Sequence, residues 1–130
     1  MAGDYLRRRI FISYTLRDNE LTIEILSRLK GMLQLLGIET FIDIIDNRTS
    51  KEHQKRLYKW LTDADYLYLI ETTKTYYSPW VKKELDFANR LNIPIIKVSL
   101  HDIKYFLAHP INMTVKVIFN NAYEYTTIIN

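Results

Sequence analysis

Trp80 and Glu84 stand four residues apart in the run Ser78-Pro79-Trp80-Val81-Lys82-Lys83-Glu84-Leu85, a spacing that sets an aromatic ring and a carboxylate side by side on one face of a helix. A carboxylate can steady a developing positive charge or attack as a nucleophile, and an indole can hold a flat ring by stacking. The helix is predicted from local chemistry. Ser78 is a good N-cap, Pro79 suits the first helical position, and Val81, Leu85, Ala88 and Leu91 form an apolar stripe with Trp80 and Glu84 beside it. Taken alone, the same residues also read as a solvated glutamate favoured by the helix dipole and a tryptophan packed into a core.

The elements that must position this pair follow from periodicity. Ile10-Phe11-Ile12-Ser13-Tyr14 is a short β-rich run, after which Asp18 or Asn19 is a candidate helix cap. Leu21, Ile25, Leu29, Met32, Leu33 and Leu36 recur at helical spacing until Gly37, a natural stop because glycine accepts the left-handed conformation. Glu39 to Asp43 reads as a second strand, Asn47 to Ser50 as a polar loop, and Lys51 to Thr62 as a helix with Leu57, Trp60 and Leu61 inward. Asp65 to Glu71 is almost continuously apolar or aromatic, as expected of a strand covered on both faces. Ile93 to Leu100 makes a fourth strand and Thr114 to Phe119 a fifth, with His101 to His109 open between helix and loop. No partner is evident for Tyr123 to Asn130.

Strands alternating with helices imply an α/β fold, a three-layer flavodoxin-like domain with a central parallel sheet of about five strands. In such sheets ligands gather at the carboxyl edge of the strands, where each following helix presents its amino terminus. Ser13, Tyr14, Asp43 and the Trp80/Glu84 turn therefore converge on one rim, although they are far apart in sequence. Ser13, Tyr14 and Asp43 read equally as strand-end residues and as pocket lining.

Composition narrows the function classes. The 130 residues suit one domain, residues 1–130, either a whole protein or a module of a longer one, and 48% hydrophobic with 25% charged is ordinary for a globular chain. With no cysteine, disulfides, thiolate catalysis and cysteine-based zinc sites are excluded, and a cytoplasmic setting is expected. No apolar stretch is long enough to span a bilayer and no secretory leader follows Arg7-Arg8-Arg9, so no membrane attachment is expected. The net charge of +3 arises from 18 basic and 15 acidic residues that are interspersed, which gives little support to nucleic-acid binding. His53, His101 and His109 are isolated, so no metal site is expected. Only three glycines are present and no glycine-rich phosphate loop can be formed. A phosphoacceptor receiver domain would need acidic residues where Ser13-Tyr14 and Glu71-Thr72 stand.

Four blocks in order resemble the Toll/interleukin-1 receptor (TIR) domain family. They are Arg9-Ile10-Phe11-Ile12-Ser13-Tyr14, Gly37 to Asp43, Ser78 to Leu85 with Ala88, and Ile93-Pro94-Ile95-Ile96-Lys97-Val98. Together they span roughly Arg9 to Val98. Trp-x-x-x-Glu is similar to the bacterial-type members that cleave NAD+. The resemblance implies NAD+ as substrate with no further cofactor, release of nicotinamide, and ADP-ribose or a cyclic ADP-ribose signal in antiphage innate immunity. It further implies self-association through TIR–TIR contacts and a downstream effector that senses the product. By the same resemblance Glu84 matches the catalytic glutamate, and Trp80, Ser13, Tyr14, Asp43 and Ile44 fall where substrate-binding residues lie.

The chemistry suits a carboxylate, because breaking the ribose–nicotinamide bond develops positive charge on the ribose. On this reading Glu84 is ionised and close to the sugar. The chain departs from the family pattern where Ile44 to Ser50 lacks a common glycine and where Thr15 replaces a more basic or polar residue. The alternative function is a non-catalytic TIR interaction scaffold or a sensor of a nucleotide signal.

Overall fold

The computed structural model describes residues 8–46 and 53–109. Four strands, β1 (Arg8–Ser13), β2 (Ile38–Ile42), β3 (Tyr66–Glu71) and β4 (Ile95–Ser99), form a parallel sheet in the order β2-β1-β3-β4. The helices are α1 (Ile23–Leu35), a one-turn α2 (Asp43–Asp46), α3 (His53–Asp63), α4 (Pro79–Arg90) and α5 (Leu100–Ala108), with a 3-10 turn at Thr75–Tyr77 before α4. The expected α/β three-layer architecture is present with four strands in the described part. The proposed fifth strand at Thr114 to Phe119, the segment from Tyr123 and the polar loop at Asn47 to Ser50 lie outside the described residues.

Alternation along each strand divides the core into two layers, because successive side chains point to opposite faces. Ile10, Ile12, Tyr68, Ile70, Ile96 and Val98 face Leu26, Leu29 and Leu33 of α1 and Ile103 and Phe106 of α5. Phe11, Phe41, Leu67 and Leu69 face Leu57 and Leu61 of α3 and Val81 and Ala88 of α4. In register, Phe11 lies opposite Phe41 and their rings stack with centroids 5.3 Å apart. Truncating one such buried ring to alanine costs roughly 3–5 kcal/mol.

Helix ends explain where the chain turns. Ser78 Oγ accepts from the Val81 N–H at 3.3 Å and Pro79 opens α4, as the sequence predicts. Helix α4 closes with Asn92 in the left-handed region (φ 59), the Ile93 N–H returning to Ala88 and the Asn92 N–H to Asn89, a Schellman closure. Gly37 (φ 80) ends the α1 segment as expected.

Three expectations are revised. Helix α1 is capped not by Asp18 or Asn19 but by Thr22, whose hydroxyl accepts from the Ile25 N–H. Asn19 instead takes a left-handed turn (φ 61), a conformation its short polar side chain tolerates. Asp43 and Ile44, read as a strand end and a loop, begin helix α2. Finally, the segment left open after β4 is helix α5, capped by Ser99 through the Asp102 N–H at 3.0 Å.

Candidate functional site

Helix α4 buries Val81, Glu84 and Ala88, an i, i+3, i+7 stripe that points straight at the sheet. Glu84 thus sits within the buried stripe rather than beside it, at 3% exposure, while Leu91 is exposed. Ser13 ends β1 and is fully buried, opposite Leu69 of β3. The Ser13 hydroxyl donates to Glu84 Oε1 at 2.8 Å across 71 residues of sequence. Sequence reasoning brought both residues to one rim, but burial in an apolar layer is a product of packing.

Burial dominates the electrostatics of this carboxyl, since an ion leaving water loses its hydration. The Glu84 acid is pushed up to about 8 by burial and by the negative charge of Asp43, while hydrogen bonds from Ser13 and Trp80 draw it partly back. At neutral pH the isolated site therefore holds mainly the protonated acid. The expectation of an ionised Glu84 needs revision for the unliganded chain, and ionisation requires a cationic neighbour or a higher pH.

Trp80 is half-buried and packs on the layer of Phe11 and Val81. Its hydrogen bond to the Glu84 carboxyl directs the indole edge to the acid, and the Lys83 ammonium lies over its ring at 5.4 Å. A stacked ligand would have to share that ring with Lys83.

Tyr14 and Ile44 meet through the chain, not through a ligand: the Tyr14 hydroxyl accepts from the Ile44 N–H at 3.0 Å. Burial, together with the nearby Asp43 and Glu84 charges, holds the Tyr14 phenol well above its ordinary range, although the Ile44 bond opposes this. The Ile44 side chain packs against the α1/α5 core layer. Asp43 stands at the start of α2, close enough for its charge to act on both Glu84 and Tyr14.

Two arrangements at this rim escaped sequence reasoning. Asp46 accepts from the Ile42 N–H at 2.8 Å and from Lys30 Nζ at 3.1 Å, and Lys30 also donates to the Thr40 carbonyl, which pins the end of α2 to α1 and β2. Asp18 Oδ2 accepts from the Thr72 hydroxyl at 2.6 Å and the Lys74 N–H at 2.8 Å, joining the β1–α1 loop to the β3–α4 connection. The Asp-Asn pair at 18–19 reads in sequence as a candidate helix cap. Nothing local in sequence indicated its partners 54 and 56 residues away.

A parallel three-layer sheet with a carboxylate and a hydroxyl paired at its carboxyl edge is the architecture of an α/β domain carrying a candidate polar site at the usual position for this class. Residues 10–124 match the TIR domain family, and the chain belongs to it. Among solved structures, a 2-deoxyribosyltransferase from the psychrotolerant bacterium Bacillus psychrosaccharolyticus superposes with a TM-score of 0.53 at 18% identity, covering 92% of this chain and 95% of that one. At that identity the likeness concerns the fold. No curated protein matches the sequence.

Proposed function

We propose that this TIR domain cleaves NAD+ at the ribose–nicotinamide bond, with Glu84 as the catalytic carboxylate. The observation that carries the reading is the buried Glu84–Ser13 pair at the carboxyl edge, with the Trp80 indole bonded to the same acid. In the reaction the C1′–N bond breaks and its electron pair passes to the pyridinium nitrogen, leaving neutral nicotinamide and positive charge on the ribose. Water then adds at C1′ and loses a proton to yield ADP-ribose, or an adenine nitrogen adds to yield a cyclic product.

The raised acid fits this sequence of events. The pyridinium of NAD+ brings a positive charge beside Glu84, which favours loss of its proton, and the carboxylate so formed faces the cationic ribose in a site of low dielectric. Ser13 supports the ionised form by donating to it. Trp80 fixes the carboxylate by its N–H and offers a flat surface to a ring, and Asp43, Tyr14 and Ile44 shape the opposite wall. Self-association of TIR domains would complete the site, and a nucleotide product would signal to an effector.

The test is to incubate the protein at high concentration with NAD+ beside Glu84→Gln and to resolve nicotinamide and ADP-ribose products by chromatography and mass spectrometry. Glu84-dependent nicotinamide release supports the enzyme, and product mass separates hydrolysis from cyclisation. One observation favours a second reading, a non-catalytic scaffold or nucleotide sensor: Glu84 is 3% exposed, so substrate reaches it only if neighbouring groups move. Absence of release under conditions where the protein has assembled would select that reading.

A further inference from the structure

A cavity lies at the end of the sheet opposite the Glu84 rim, where β1 and α3 begin and end respectively. It measures about 320 Å³ and is lined by Arg9, Arg56, Lys59, Trp60 and Asp63. Arg9 stands four residues before Ser13 on β1, roughly 13 Å along the strand, so the cavity is distinct from the Glu84 rim. We propose that it binds a small phosphate-bearing ligand of mononucleotide size.

The lining carries Arg9, Arg56 and Lys59 against Asp63; Arg9 is offset by Glu39 and Asp63, and Arg56 and Lys59 leave positive charge on the concave surface, which favours an anion. Arg9 is held in place before any ligand arrives. Its guanidinium lies 3.4 Å from Glu39 and 3.6 Å from Asp63 and over the Trp60 ring at 5.6 Å, while its backbone N–H is fixed to Asp65 at 2.9 Å. Among the described residues these ion pairs all belong to Arg9. Arg56 and Lys59 have no described carboxylate within ion-pair distance, and they lie three apart on α3, hence on one helical face. Because the Arg9 guanidinium is already paired with two carboxylates, the oxygens of a phosphate fall to the Arg56 fork and the Lys59 ammonium on that helical face.

The size and the aromatic wall set the rest of the ligand. The volume is at the small end for organic ligands, too large for phosphate alone. Trp60 is half-buried and anchored by Phe41, with centroids 5.1 Å apart, so its indole and the Arg9 guanidinium form a rigid flat border to the cavity. With the Trp60 ring covered by Arg9, a planar base packs against the outer face of that guanidinium. Asp63, the lone acid of the lining, can accept from a base amino group or a ribose hydroxyl.

The chain has two tryptophans, one at each end of the sheet, so their indole N–H signals in NMR report the two sites separately, with Trp80→Phe supplying the assignment. The probes are adenosine monophosphate, inorganic phosphate and adenosine. The expected result is a saturable shift of the Trp60 indole with adenosine monophosphate, a weaker response to phosphate and none to adenosine. In Arg56→Ala/Lys59→Ala, two exposed positions, affinity should fall at least tenfold with melting temperature unchanged. The proposal is overturned by no Trp60 shift at millimolar nucleotide, by a shift that survives the double substitution, or by an equal response to adenosine or to phosphate. Movement of the Trp80 signal alone would put the nucleotide at the Glu84 rim and also overturn it.

Discussion

The Ser13 hydroxyl and the Glu84 carboxyl are joined by a 2.8 Å hydrogen bond between strand β1 and helix α4, both side chains buried. The pair sits where a polar group is costly, and it therefore controls both the chemistry and the stability of the domain.

Glu84→Gln should abolish nicotinamide release, by 10²-fold or more if the carboxylate carries the charge stabilisation, while keeping the fold. The amide retains a carbonyl acceptor for Ser13. Nicotinamide release comparable to the unsubstituted chain would remove Glu84 from the catalytic role.

The same substitution should make stability less sensitive to pH. Glu84 rises from 4.5 to about 8 on folding, so between those values the folded state holds a proton that the unfolded state lacks, and stability falls as pH rises. From pH 5 to 9 this loss is on the order of 4 kcal/mol. Thermal denaturation across that range should show the unsubstituted chain losing stability relative to Glu84→Gln, with the glutamine variant the more stable at pH 9. Parallel curves would mean that the acid is not raised.

Catalytic efficiency of the free enzyme should climb with pH and level off above about 8, following ionisation of Glu84. Ser13→Ala removes a donor that favours the ionised form, so its midpoint should move to higher pH, with a stability loss of about 1 kcal/mol. A midpoint that stays put or moves down would show that Ser13 does not act on the acid.

Trp80→Phe keeps an aromatic ring and deletes the N–H, whereas Trp80→Ala deletes both. If the indole serves Glu84 through its hydrogen bond, both variants raise the pH midpoint. If it also stacks a ring of the substrate, only alanine alters KM or the ratio of cyclic to linear product, by roughly fivefold or more for ~1 kcal/mol of stacking.

Asp18→Asn should loosen the junction of the β1–α1 and β3–α4 connections. Burial opposes the Asp18 charge, but hydrogen bonds from Thr72 and the Lys74 backbone outweigh it and hold the acid below its ordinary 3.8. Its contribution is then present above that value and lost as pH falls through the lowered one. Hydrogen exchange at residues 72–74 should quicken in the variant at pH 7, and unchanged exchange would show that the clamp does not hold.

The element pattern and the rim were legible in sequence for local reasons. Ser78-Pro79 announces a helix start, Gly37 a helix stop, and the apolar run at 65–71 a covered strand, each through backbone preferences that act over a few residues. The topology implied by that pattern brings Ser13, Asp43 and Glu84 to one edge. The tertiary structure alone decided that Glu84 is buried and bonded to Ser13, that the Tyr14 hydroxyl holds Ile44, that Asp18 reaches Thr72, and that Arg9 meets Arg56 and Lys59 around a cavity. These depend on register and on which helix face meets the sheet. Hydration lost on burial and contacts between residues tens of positions apart leave no local trace in the chain.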